Sequence, residues 1–382
     1  MRAPRLIVAA TTVAALITGG SFAVAAKAAV TTVAPTCTST SVLMLSAYPA
    51  EIKPNLDRVM LDPGQPVAVD GHQTYAGTLL GRRVILAITN EGTKNGHDTT
   101  LALLKHFHCI SAVTFSGTAG GGGHAMLGDV AVPARWTGDG GKTFELVQPK
   151  LLQGARRIAA EAAAQLETTA SVNIGPCGTA SPPVVYLPRT PTVVLGGTGS
   201  TDNGGNPGTC SAAAGGLAGC DPCPPAGTPL TPTPPTLTGS AQPIEVAIDE
   251  VDSGEEETAS AMQAAIAMNV PFIAFRAVSD DALPTPLWLG EYLVYQQVAA
   301  DNAALVARLW VRDWNGGPAT ATTPSTAPTK TKAQATGRTP TVHPAGGQLA
   351  ATGTNPIVAL VATAMLAAGV LGRRATVRRR RA

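Results

Sequence analysis

The sequence predicts an α/β fold with a central twisted mixed sheet flanked by helices, and three observations carry that reading. Strand-like apolar runs alternate with helical stretches in two blocks, Ser41 to about Leu166 and Ile244 to Trp314. Val270 to Val278 is rich in β-branched and aromatic residues with little alternation, as in a strand covered on both faces of a mostly parallel sheet. That run ends in Asp280 and Asp281, where such sheets collect their ligands, although an acid there also suits a helix cap or a solvated loop.

The first block offers a strand at Val42 to Ala47, a hairpin of Val67 to Tyr75 with Arg82 to Thr89, and a helix from Thr99 to Phe107. A strand at Ile110 to Ser116, a short one at Asp129 to Val132 and an alanine-rich helix from Lys150 to Leu166 follow. Thr192 to Leu195 reads as a strand. The last block gives a helix from Glu256 to Met268, the strand ending at Asp280, and a helix from Leu287 to Arg312. Between the blocks, residues 176–240 are rich in Gly, Pro, Thr and Cys, too long for an ordinary loop, and read as a cross-linked insertion.

The chain ends read as export signals. Residues 1–26 carry Arg2 and Arg5, an apolar run and small residues, the pattern of a secretory signal peptide. Residues 315–348 are Pro, Thr and Ala with almost no large apolar side chain, which suits an extended stalk. Residues 349–382 hold Leu-Ala-Ala-Thr-Gly, an apolar stretch from Pro356 to Leu371 and six arginines. This tail resembles the LAxTG sorting signal read by sortases of high-GC actinobacteria, which implies cleavage between Thr352 and Gly353 and attachment to cell-wall peptidoglycan. Physically it is a marginal membrane span held by arginines on the cytoplasmic side, so a permanent anchor is the other reading.

Losing two arginines with the leader and six with the tail takes the formal charge from +2 to −6, so no nucleic-acid partner is implied. Six cysteines in an exported chain favour disulfides. Cys37 and Cys109 each precede a strand, and parallel neighbours would bring them to one sheet edge, so Cys37–Cys109 is the expected bridge. Cys177, Cys210, Cys220 and Cys223 are expected to pair within the insertion. Cys220-Asp-Pro-Cys223 lacks a second pair at zinc-ribbon spacing, so no metal site is expected.

Three stretches carry a family resemblance: "LSAYPAEIKPNL" (45 to 56), "FSGTAGGGGHAMLGDVAVPARW" (115 to 136) and "EEETASAMQAAIAMNVPFIAFRAVSDD" (255 to 281). They resemble the nucleoside phosphorylase superfamily, most closely its methylthioadenosine/S-adenosylhomocysteine nucleosidase branch. The resemblance implies one α/β domain over residues 36–314, often a homodimer, that hydrolyses the N-glycosidic bond of a purine nucleoside or thionucleoside without a cofactor. It implies Asp280 as the acid that protonates the base, Glu51 as the water-activating base and Glu257 as the partner of the sugar hydroxyls. Thr118, with Gly117, Ala119 and Gly120, would line the sugar and nucleophile pocket. Taken alone, Glu51 also suits the first turn of a helix, and Glu257 a solvated acidic run with Glu255 and Glu256.

Gly117 to Gly121 read as a loop after a strand, and His124 as a solvent-exposed loop residue. Three departures stand out. Glu256 replaces the family's sugar-packing Met and would crowd the substrate-binding Glu257; Phe115 stands where many phosphorylases keep a phosphate-binding Arg; and "GGTGSTDN" (196 to 203) offers no aromatic to stack on a base. They leave two alternatives: a nucleoside-binding or storage protein without turnover, and a phosphorolytic enzyme, which Phe115 disfavours.

Overall fold

The computed structural model describes residues 39–172, 184–202, 236–237, 239, 241–281 and 288–316. The chain runs β1 (Ser41–Ser46), α1 (Pro49–Leu56), β2 (Met60–Leu61), β3 (Val67–Val69), β4 (His72–Leu79), β5 (Arg82–Ile88), α2 (Thr93–His106) and β6 (Ile110–Gly121). Then come β7 (Val130–Val132), β8 (Arg135–Thr137), β9 (Glu145–Leu146), α3 (Pro149–Ala163), β10 (Thr169–Ser171), β11 (Val184–Tyr186) and β12 (Val193–Thr201). The last elements are β13 (Ile244–Glu255), α4 (Thr258–Ala267), β14 (Phe272–Asp281) and α5 (Trp288–Asp313).

The centre of the sheet is parallel: β5, β1, β6 and β14 lie side by side, with Leu45 and Ala274 both in register with Phe115. Their apolar runs are buried on both faces, as strands of this kind require. Beyond β14 the order continues β7, β12, β8, β9, and β13 pairs with both β12 and β6, so β6, β14, β7, β12 and β13 close into a ring. The carboxyl ends of β1, β6 and β14 therefore meet at one edge, beside the start of α1 and of α4.

α5 packs across β14 and β6. Its Trp310 is buried, stacks on Trp314 at 4.9 Å between ring centres, lies 5.9 Å from Phe275 and donates its indole N–H to the Leu151 carbonyl at 3.1 Å. Gly154 of α3 admits this ring, since a Cβ there would sit 2.8 Å from the indole nitrogen.

Several expected boundaries shift, each for a physical reason. The strand expected over Val67 to Tyr75 is two strands, because Asp70 and Gly71 adopt φ of 48° and 85° and form a tight hairpin turn; Leu80 and Gly81 make the next, at 48° and 78°. The strand expected to stop at Ser116 continues to Gly121, so Gly117 to Gly121 are strand rather than loop. Pairing with β14 and β13 supplies the ladder that glycine's weak strand preference would not. β12 likewise runs on to Thr201, so 196 to 201 are strand, and β13 is a strand beyond those the sequence predicts. α2 begins at Thr93 rather than Thr99 because its first turn is anchored by packing: a Cβ on Gly96 would lie 2.8 Å from the Glu257 carbonyl of the α4 start.

No helix among the described residues is long and apolar enough to cross a membrane. Residues 1–26, the apolar tail with Thr352 and Gly353, and Cys37, Cys177, Cys210, Cys220 and Cys223 lie outside the described residues, as does nearly all of the stalk. Cys109 is disulfide-bonded, with its partner outside them too.

Trp310→Ala should lower the free energy of unfolding by about 3–5 kcal/mol, the usual cost of emptying a buried indole site. Urea denaturation measures it; a midpoint unchanged from wild type would show that α5 is not held by this contact.

Candidate active site

The site is assembled where β1 gives way to α1. Tyr48 is extended and caps α1, Pro49 opens the helix, and Glu51 falls in its first turn with its side chain folded back under the strand ends. Three hydrogen bonds fix its carboxylate and leave Oε2 room for one more: Oε2 accepts the Ala47 N–H at 2.7 Å, and Oε1 accepts the Thr118 N–H at 2.6 Å and the Thr118 hydroxyl at 3.0 Å. Glu51 is thus a buried, oriented acceptor rather than a solvated helix acid. Burial raises its pKa, against the pull of Arg276 and of those three hydrogen bonds.

Gly117 makes this possible, since a Cβ there would lie 2.5–2.6 Å from the carboxylate atoms of Glu51. With Thr118 donating to Glu51, the remaining hydroxyls fall into one direction. Gln296 donates to Tyr292 at 3.0 Å, Tyr292 to Tyr48, and Tyr48 to Thr118 at 2.9 Å. Burial raises the pKa of both tyrosines, with Glu51 adding to it for each and Glu91 and Asp280 adding to it for Tyr292. The Tyr292 hydroxyl therefore sits within the field of Glu51 and of Asp280.

The acidic run Glu255 to Glu257 is not solvated. Glu255 is a buried cap for α4, accepting the Glu257 and Thr258 amides at 2.8 Å each, the Thr201 hydroxyl, and Arg276 at 2.6 Å. Glu257 turns the other way, accepting the Gly92 N–H at 3.0 Å and Arg276 at 2.9 Å. Burial raises the pKa of Glu257, opposed by Arg276 and reinforced by Glu255 and Glu51. Arg276 itself is buried in the middle of β14, its guanidinium 4.8 Å from the Phe115 ring centre. Burial opposes its charge, yet Glu255, Glu257 and Glu51 outweigh that and hold its pKa above the ordinary value.

Glu256 is half-buried, and its pKa is pushed up to about 7 by burial and by the charges of Glu91, Glu255 and Asp202. Asp280 is buried at the end of β14. Ser279 is an extra residue in the pairing with β6, so that Val278 faces Ala119 and Asp280 faces Gly120, and the Ser279 hydroxyl donates to Asp280 at 2.8 Å. Such a bulge re-aims the side chain that follows it.

Of the residues expected from sequence, Glu51, Thr118, Gly117, Glu257 and Asp280 meet at the shared ends of β1, β6 and β14, with Ala119 and Gly120 on the β6 backbone that pairs with Asp280. Gly128 and Asp129, part of the same motif, serve the scaffold: Asp129 accepts the Thr192 and Met126 amides and pairs with Arg189. Arg276, Tyr48 and Tyr292 carried no expectation. A lone arginine inside the apolar run "FIAFRAV" was the one sign available.

No family model matches the chain. It is 38% identical over 169 residues to the uncharacterized protein Rv2293c of Mycobacterium tuberculosis, covering 42% of this chain and 67% of that one. An uncharacterized Mycobacterium bovis protein, Mb2315c, is 40% identical over 68 residues, 17% of this chain and 92% of that one. The chain belongs to the family of these mycobacterial proteins. Among solved structures it is similar to the 5'-methylthioadenosine/S-adenosylhomocysteine nucleosidase of Neisseria meningitidis (19% identity, 72% of this chain, 100% of that one, TM-score 0.48). It is similar also to the futalosine hydrolase of Helicobacter pylori (15% identity, 71% and 97%, TM-score 0.48).

Gly117→Ala should displace Glu51, because the new methyl cannot share space with its carboxylate. Loss of the Thr118 amide's protection in hydrogen exchange would register it, whereas unchanged protection would contradict the arrangement. Glu256→Gln tests the crowded carboxylates. The folded-state pKa of about 7 lies above the ordinary carboxylate value, so the wild type loses stability as pH rises from the ordinary value through 7. The variant should melt about 2–4 °C higher at about pH 8, roughly 1 kcal/mol for a partly solvated group, with no gain at about pH 4. A gain of equal size at both pH values would contradict it.

Proposed function

We propose that this member of the mycobacterial family is an exported, wall-attached nucleosidase that hydrolyses the N-glycosidic bond of purine nucleosides or related thionucleosides. The observation that carries the reading is one buried site in which Glu51, Glu255 and Glu257 surround a single guanidinium, with the buried Asp280 near the Tyr292 hydroxyl that also faces Glu51. Cleaving this bond builds positive charge on the sugar, and a water-poor site with more carboxylates than cations stabilises that charge as it forms.

In the proposed reaction Asp280 gives its proton to the departing base, water adds to the anomeric carbon, and Glu51 accepts the proton that water loses. The Ala47 and Thr118 hydrogen bonds hold Glu51 in place, and Glu257, fixed by Gly92 and Arg276, accepts from the sugar hydroxyls. The buried Phe115 offers phosphate no hydrogen bond, and the surrounding carboxylates repel an anionic nucleophile, which favours water. Wall attachment rests on the Leu-Ala-Ala-Thr-Gly motif at 349 to 353 and the tail that follows.

The half-buried Glu256 also favours a second reading, a binder that holds a nucleoside without turning it over. Purified protein incubated with adenosine, inosine and methylthioadenosine distinguishes the two. A nucleosidase releases free base with or without phosphate, and Asp280→Asn lowers kcat by about 100-fold or more while binding persists. Because burial raises the pKa of Glu51, which must be ionised to accept a proton, the rate should fall on the acid side at a pH above the ordinary carboxylate value. Saturable heat in calorimetry with every nucleoside left intact would favour the binder, and release that requires phosphate would contradict hydrolysis.

A further inference from the structure

β6 ends in a tight turn, Gly122–Ala125, closed by the Ala125 N–H to the Gly122 carbonyl at 3.0 Å. His124 sits in that turn, facing Glu250 and Asp252 of β13, and one ligand atom from each of the three lies within 4.8 Å of the others. We propose that His124, Glu250 and Asp252 bind one divalent first-row transition ion such as Zn2+, and that the ion fastens the glycine-rich end of β6 to β13. This inference is independent of the proposed nucleosidase activity.

The state of Asp252 points to a cation. Its side chain is fully buried, with Oδ1 accepting the His124 N–H at 3.0 Å and Oδ2 without a hydrogen-bond partner among the described residues. A buried carboxylate oxygen with no donor is costly. Two carboxylates and an imidazole held this close form a donor set that matches borderline ions rather than the all-oxygen shells of Ca2+ or Mg2+.

The backbone is shaped around the same carboxylate. Gly123 and Gly197 have φ of 54° and 66°, and a Cβ on either would lie 2.6 Å from Oδ1 or 1.8 Å from Oδ2 of Asp252. Glycine is therefore demanded here by both conformation and space. The other two ligands face solvent: His124 and Glu250 side chains are 55% and 37% exposed, and His124 Nδ1 already pairs with Glu250 Oε2. An ion can enter from that side and keep water in its remaining positions. Donors on one Zn2+ lie about 2.0–2.2 Å from it, so the exposed His124–Glu250 pair would part to admit the ion while both side chains turn toward Asp252.

The position matters to the neighbouring site. Ser253 and Gly254 pair with Gly121 and Gly120, and Gly120 is also the partner of Asp280. An ion on Asp252 would hold the backbone beside Asp280 in place.

Calorimetric titration of the metal-stripped, disulfide-intact protein with ZnCl2 tests the proposal, with a CoCl2 spectrum to identify the ligands. Wild type should take up about one Zn2+ and melt at a higher temperature with it. His124→Ala, Glu250→Gln and Asp252→Asn should each weaken binding by at least about tenfold. The first two change exposed side chains, so the test stands even if Asp252→Asn fails to fold. No Zn2+ uptake by the wild type, equal uptake by all variants, or a thiolate-to-cobalt charge-transfer band placing the ion on cysteine would each overturn it.

Discussion

The guanidinium of Arg276 is the constraint around which this site is built. It is buried in the middle of a central strand, where an unpaired cation would be prohibitive, and it is held by Glu255 and Glu257 with Glu51 close enough to add to its field. Removing the arginine would leave three buried carboxylates without their shared cation, so the four side chains stand as a unit. Glu255 also caps α4, and Glu257 also takes the Gly92 amide at the start of α2. One charge therefore ties β14 to the entrance of both helices.

That arrangement leaves an excess of negative charge by design of the sequence. A single arginine cannot neutralise Glu51, Glu255 and Glu257 together, and Glu256 adds to the imbalance. Part of the excess is absorbed by raised pKa values, and part is available to a ligand that is positive or becomes so. The hydrogen-bonded line from Gln296 through Tyr292, Tyr48 and Thr118 ends on Glu51 and directs every donor toward that carboxylate. Such orientation, fixed before any ligand arrives, is what electrostatic catalysis requires.

Much of this was legible in the sequence, and what was not has identifiable causes. The buried parallel strands announced themselves as apolar runs, and Glu51, Glu257 and Asp280 stood at motif positions. The glycine stretches at 117 to 121 and 196 to 199 read as loops because glycine carries no strand preference of its own; neighbouring strands impose it. β13 alternates only over Ile244 to Ile248, and its polar second half is held as strand by pairing with β12 and β6. Arg276, Tyr48 and Tyr292 acquire their roles from partners 19 to 244 residues away, which local patterns do not encode. His124 read as a loop residue, and it is exposed; its proximity to Glu250 and Asp252 depends on β13 returning to β6.

The central claim is that the buried carboxylates favour a sugar carrying positive charge. Its most direct measurement compares the affinities of two nucleoside analogues of the same shape, one with a protonated pyrrolidine in place of the ribose and one with an uncharged carbocycle. The account predicts that the cationic analogue binds at least about 100-fold tighter, in the range by which transition-state mimics exceed substrates. Equal affinities for the two would contradict it.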